Sequence, residues 1–207
     1  MRLIGMLDSP YVRRVAISLH LLDIPFTHEA VSVFSTFEKF KAINPVVKAP
    51  SLVCDDGQIL MDSSLILQFA ELTKSNGKSL WSRDAGIVQH EFGAVGLALA
   101  ACEKSVSIAY ERNLRPVTAQ YEPWIERVTG QLLAAYASLE RLVQTQPALF
   151  AEENNQASVT CAVVWQFTQS MVAAIVPAAE YPGLAGLSQR MEQTSAFLKY
   201  PPKGPGV

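Results

Sequence analysis

Ser9 is the residue around which chemistry can be built. It follows an apolar run, Leu3-Ile4-Gly5-Met6-Leu7, and opens the turn Ser9-Pro10-Tyr11. After the turn, Val12, Val15, Ala16, Leu19 and Leu22 recur at helical spacing. Serine is a favoured N-cap, and proline suits a first helical turn, where its missing N–H would have no partner anyway. A buried strand that becomes a helix here leaves backbone N–H groups and the positive end of the helix dipole facing an anion. A thiolate held at such a point has its pKa lowered. Alone, the motif is also that of a simple helix cap, the commoner case.

Four further features follow. Asn44-Pro45 ends a short helical pattern, and Lys48-Ala49-Pro50 stands just before an apolar run. Asp55-Asp56-Gly57 joins Ser51-Leu52-Val53-Cys54 to Gln58-Ile59-Leu60-Met61, a hairpin signal. Asp62-Ser63-Ser64 precedes Leu65, Ile66, Phe69, Ala70 and Leu72, the pattern of a capped amphipathic helix. His20, His28 and His90 lie far apart, so no metal site is expected. Cys54, Cys102 and Cys161 are odd in number and form no C-x-x-C pair, which disfavours a disulfide framework and fits a reducing compartment. Lys39, Lys41 and Lys48 make a mild basic cluster, a solvated face or an aid to anion capture. A net charge of -2 and a pI near 5.9 argue against a strongly electrostatic nucleic-acid or membrane partner.

The elements that must hold these residues follow from the patterning. Hydrophobic residues make up 49% and charged residues 17% of the 207, the composition of a globular protein with a real core. A strand over Arg2–Leu7 leads to a helix over Pro10–Leu22, then a strand within Thr27–Val33 and a weak helix over Phe34–Ile43. The hairpin and a capped helix complete an order β-α-β-α-β-β-α within residues 1–75. Residues 76–83 read as a linker, and 84–207 as all-helical. One seam runs Val88, Phe92, Val95, Leu99, Cys102, Val106; a second runs Ile125, Val128, Leu132, Ala135, Leu139, Leu142. Gly93, Ala94, Gly96, Ala98 and Ala101 let another helix approach the first of these closely. A third helix, Ala157–Ile175, is apolar most of the way round and is expected at the centre, with Trp165 in the core and Asn154-Asn155 supplying the cap. A short last helix is expected near Leu184–Leu198. The nearly uncharged stretch Phe92–Cys102 is too short to cross a bilayer. Ala157–Ala179 carries Gln166, Thr168, Gln169 and Ser170 and reads as a buried helix. No signal peptide is read at the N-terminus, and the expectation is a soluble, cytoplasmic protein.

In this order and spacing, the five features resemble the N-terminal thioredoxin-like domain of the glutathione S-transferase family, of a bacterial type with serine at the catalytic position. The helical remainder resembles that family's C-terminal domain. The resemblance implies an α+β two-domain protein that binds glutathione as co-substrate, without metal, and pairs as a homodimer through its long helices.

It also implies roles. The hydroxyl of Ser9 would donate to the glutathione sulfur, a charge-assisted bond of about 1.5–3 kcal/mol. With the helix dipole, that would move a thiol of pKa about 8.5 towards ionisation at neutral pH. Serine cannot form the mixed disulfide that cysteine-bearing members form, which favours conjugation over thiol exchange. An unpaired Asp8 carboxylate beside the sulfur would oppose ionisation, so Asp8 is expected to point away. Ala49-Pro50 would be the family's cis-proline turn, pairing the Ala49 backbone with the cysteinyl unit. Lys48 would reach the glycyl carboxylate, and Asp62 and Ser63 would grip the γ-glutamyl group. Tyr11 and Tyr110 would line a pocket for a hydrophobic electrophile between the units. The chain departs from the family at Val47, where glycine is usual, and at Ala49, where a β-branched residue is usual. At the start of the central helix, Asn155 and Ser158 replace a Ser/Thr and Asp box, a weaker cap by about 1 kcal/mol. The rival readings are a non-catalytic interaction module on the same fold, and a glutathione-dependent peroxidase or dehalogenase.

Overall fold

A four-stranded sheet sets the geometry of the first unit. The computed structural model of the chain describes residues 1–204. The strands are β1 (Arg2–Ile4), β2 (Thr27–Glu29), β3 (Ser51–Val53) and β4 (Ile59–Met61), in the order β2-β1-β3-β4. β1 pairs parallel with β2, and β3 pairs antiparallel with both β1 and β4. The helices are α1 (Pro10–Leu21), α2 (Phe37–Ile43) and α3 (Ser63–Thr73). This is the expected β-α-β-α-β-β-α order. The first two strands are shorter than their apolar runs suggested. Gly5, at φ +142, ends β1, and a Cβ there would lie 2.5 Å from Val12 Cγ2, so only glycine lets α1 come this close. Leu3, Val12, Val15, Leu19, Leu52 and Ile66 form the core between the sheet, α1 and α3.

The chain divides into two compact units: Met1–Leu80 with the segment from Ser195, and Trp81–Thr194. The expected last helix is two helices, α7 (Pro182–Glu192) and α8 (Ser195–Lys199), and α8 groups with the first unit. It lies against α1, with Ala196 and Phe197 buried.

The second unit is helical: α4 (Ala85–Leu114), α5 (Glu122–Thr145), α6 (Gln156–Val172) and α7. α6 is buried through most of its length and includes Trp165, as expected of a central helix. The expected α4 seam is met only in part. It holds at Val95 and Cys102, but Phe92 is 59% exposed, and the buried face otherwise runs through Ala94, Ala98, Ala101, Ser105 and Ile108. Small side chains let α5 and α6 pack close to the α4 backbone, so the alanine face outcompetes the bulkier seam. At 30 residues α4 is long and apolar enough to cross a membrane by length and composition; the uncharged run Phe92–Cys102 covers only its middle. Here it is a core helix, and its Glu91 and Glu111 carboxylates bond inside the unit, to the Ser82 and Tyr121 amides respectively. Tyr136, Trp165 and Tyr181 meet edge-on or tilted, and Tyr136 donates to Thr168 Oγ1 at 2.6 Å.

Candidate active site

Strand register gathers the candidate residues. Ile4 stands opposite Ser51, and Ser51 opposite Met61, so these three form one row across the sheet. The chain leaves β1 from this row towards Ser9. It enters β3 here from Lys48-Ala49-Pro50 and leaves β4 here into Asp62-Ser63. The three turns therefore share one end of the sheet, and the N-termini of α1 and α3 both start there. Two positive helix ends at one place favour an anionic ligand.

Ser9 occupies the N-cap of α1, half-buried, with Pro10 at the first helical position. Its hydroxyl makes no capping bond to its own helix. Asp8 lies with its carboxylate against Gly204.

Ala49-Pro50 is cis, the isomer the resemblance implied. Val47 has φ +52, a left-handed conformation unusual for a β-branched residue and natural for the glycine that the family carries. A buried pair holds this loop. Asn44 Nδ2 donates to Ser51 Oγ at 2.8 Å, Ser51 Oγ donates to the Lys48 carbonyl at 2.8 Å, and Asn44 Oδ1 accepts from the Val46 amide at 3.0 Å. The Lys48 side chain is exposed, and Pro50 is buried.

Asp62, at φ +72, is the N-cap of α3; its Oδ1 accepts from the Ser64 and Leu65 amides at 2.9 and 3.3 Å. Ser63 is buried, and its Oγ accepts from Arg14 Nη1 at 3.0 Å; Ser64 Oγ accepts from the same atom at 3.1 Å. Arg14, 2% exposed, is the residue that sequence reasoning missed. Only an arginine pair inside an otherwise apolar helix signalled it: a charge at that depth demands a polar partner. Asn44 was legible only as a helix end.

Tyr11 lies in the first turn of α1, half-buried, and Tyr110 lies on α4, 39% exposed. Cys54, half-buried, has its thiol pushed up by burial and then by Asp56 and Asp55, the reverse of a reactive thiol. Among the described residues, no group of three His, Cys, Asp or Glu side chains stands together as a metal would require.

The first unit thus has a thioredoxin-like fold, with its turns gathered at one sheet end. Residues 3–77 match the model of the glutathione S-transferase N-terminal domain. Glutathione S-transferase U3 of Arabidopsis thaliana is 29% identical over 53% of this chain and 54% of its own length. The chain spans about half the length of the curated relatives it matches. Among solved structures, a glutathione S-transferase from Methylobacterium radiotolerans, in complex with glutathione sulfonate, aligns at TM-score 0.87. Its identity is 24%, covering 100% of this chain and 96% of that one. A glutathione transferase family member from Pseudomonas fluorescens, with bound S-(propanoic acid)-glutathione, aligns at 0.83 and 24%, covering 99% and 100%. These likenesses show the two-domain fold. The match over residues 3–77 makes the first unit similar to the N-terminal domain of the glutathione S-transferase family.

Proposed function

We propose that this protein is a glutathione transferase that conjugates the glutathione thiolate to a small hydrophobic electrophile, a detoxification reaction, as a cytoplasmic homodimer. The observation that carries the reading is the shared sheet end at which Ser9 keeps its hydroxyl out of its own helix cap, beside the α1 dipole. In this reading Ser9 donates to the sulfur. The Ala49 backbone pairs with the cysteinyl unit, Lys48 meets the glycyl carboxylate, and Ser63 with Asp62 receives the γ-glutamyl end. The thiolate attacks an electrophilic carbon, the carbon–sulfur bond forms, and the leaving group departs with the carbon's bonding pair. Thiolate stabilisation and the holding together of both reactants supply the rate gain. The glutathione sulfonate and S-substituted glutathione bound to the two structural neighbours are the kinds of ligand this reading requires.

Calorimetry with glutathione is the first test. No heat at millimolar concentration would favour a non-catalytic interaction module. With binding established, Ser9→Ala assayed with a chloronitrobenzene-type electrophile should lower turnover about tenfold or more, the worth of one charge-assisted bond. Unchanged turnover removes Ser9 from the mechanism. Homodimerisation is supported by apolar side chains left exposed on α3 (Leu65 60%, Leu72 77%) and on α4 (Ile87 49%, Phe92 59%). Sedimentation equilibrium should give twice the chain mass of 22.6 kDa.

A further inference from the structure

Two buried side chains set the direction of the backbone at Ala49. Asn44, 3% exposed, ends α2, and Ser51, fully buried, opens β3 in the row that also holds Ile4 and Met61. Asn44 Oδ1 accepts from the Val46 amide at 3.0 Å, which fixes the side-chain amide with its Nδ2 towards Ser51. That Nδ2 donates to Ser51 Oγ at 2.8 Å and lies 3.7 Å from the sulfur of Met61, the residue before Asp62. A serine hydroxyl has a single hydrogen to give. With Asn44 donating to it, Ser51 Oγ gives that hydrogen to the Lys48 carbonyl at 2.8 Å. The Lys48–Ala49 bond is a planar trans peptide, in which the carbonyl and the following N–H point in opposite directions. A Lys48 carbonyl turned in towards Ser51 therefore turns the Ala49 N–H away from the buried pair.

We infer that Asn44 and Ser51 form a relay that sets the direction of the Ala49 N–H and so presents it to the cysteinyl carbonyl of glutathione. Both are positioning residues, and both act through the Lys48–Ala49 peptide group. The inference rests on the proposed glutathione site, in which the Ala49 backbone pairs with the cysteinyl unit. The polarity of the relay matters. Asn44 offers Ser51 a donor; an acceptor in its place would draw the Ser51 hydrogen to itself and release the Lys48 carbonyl.

The test is calorimetric binding of two ligands at about pH 8: glutathione, and an analogue in which a trans alkene replaces the cysteinyl–glycine amide and so lacks the carbonyl. The wild type should bind the analogue about five- to tenfold more weakly than glutathione, the worth of one hydrogen bond. Ser51→Ala removes one buried oxygen. It should bind glutathione about five- to tenfold more weakly, while telling the two ligands apart by less than about threefold. A loss of loop packing alone would weaken both ligands equally. Equal binding of the two ligands by the wild type, or wild-type discrimination kept in Ser51→Ala, overturns the inference. Asn44→Asp keeps the size of the side chain and the Val46 contact, but its carboxylate, held ionised by two donors, takes the Ser51 hydrogen. It should lose discrimination as Ser51→Ala does, and the double variant should bind glutathione no more weakly than the weaker single variant. Losses that multiply in the double variant also overturn the relay. A wild type that binds no glutathione removes the proposed function and the relay's role with it, whereas failure in the variants alone leaves that function standing.

Discussion

Ser9 and Asp62 stand at the same kind of position, the residue before a helix, and use their side chains differently. Asp62 spends one carboxylate oxygen on its own helix, and Ser9 spends nothing on its own. Both were legible as cap-type residues ahead of helical periodicity, and Ser63 with them, because caps are a local signal. Arg14 was not. α1 is buried on nearly every side from Val12 to Leu19, and a helix enclosed all round loses the amphipathic stripe that would have placed Arg14 on one face. Arg14 donates to the Ser63 and Ser64 hydroxyls, so under the proposed function its loss should be felt where the γ-glutamyl group would bind. Arg14→Gln is expected to raise KM for glutathione about tenfold, the worth of a charge-assisted bond, with KM for the electrophile little changed. Steady-state kinetics with each substrate varied in turn checks this.

Among the elements, the helices up to α6 were legible to within a few residues of their ends, α7 and α8 were read as one, and the strands were legible only in number and order. Three-residue strands carry too few alternations to set their own limits, and tertiary geometry at Gly5 cut the first one short. On α4 the seven-residue spacing put Phe92 on the seam; packing chose the neighbouring alanines because they are small. At α6 the cap is made, though not as the family's reciprocal box. Asn155 Oδ1 accepts from the Ala157 and Ser158 amides at 2.7 and 3.2 Å, and its Nδ2 donates to the buried Glu91 at 2.5 Å. Ser158 Oγ does not reach back, and it is buried without a hydrogen-bond partner among the described residues. Asn155→Ala should therefore cost more than a cap alone, about 2–3 kcal/mol, because Glu91 also loses a donor. Asn155→Asp keeps the cap but sets a second carboxylate beside Glu91, so it should be destabilised as well. Urea denaturation of the two variants measures both.

For the whole molecule, the sequence placed a linker at residues 76–83 between an α/β unit and a helical unit; the boundary of the two compact units falls between Leu80 and Trp81. The return of α8 to the first unit was not legible, since a short helix near a chain end carries no mark of what it packs on. That return brings Lys199 Nζ to 3.4 Å from His20 Nδ1. His20 is held below its ordinary value by burial first and by the Lys199 charge second, with Asp23 pulling the other way. The unfolded chain therefore takes up the proton more readily. Stability from this group is complete above about pH 6.5 and falls as the pH drops below it. The urea midpoint should rise between about pH 5 and pH 7, and His20→Gln should flatten that rise.

The placement of the aromatic residues has a practical consequence. The three tryptophans, Trp81, Trp124 and Trp165, all belong to the helical unit, with Trp165 inside its Tyr136 and Tyr181 cluster. Intrinsic tryptophan emission is therefore blind to the half of the molecule that carries Ser9. If the two units melt apart, fluorescence will follow one, whereas circular dichroism reports their sum, and non-coincident transitions will count the cooperative units.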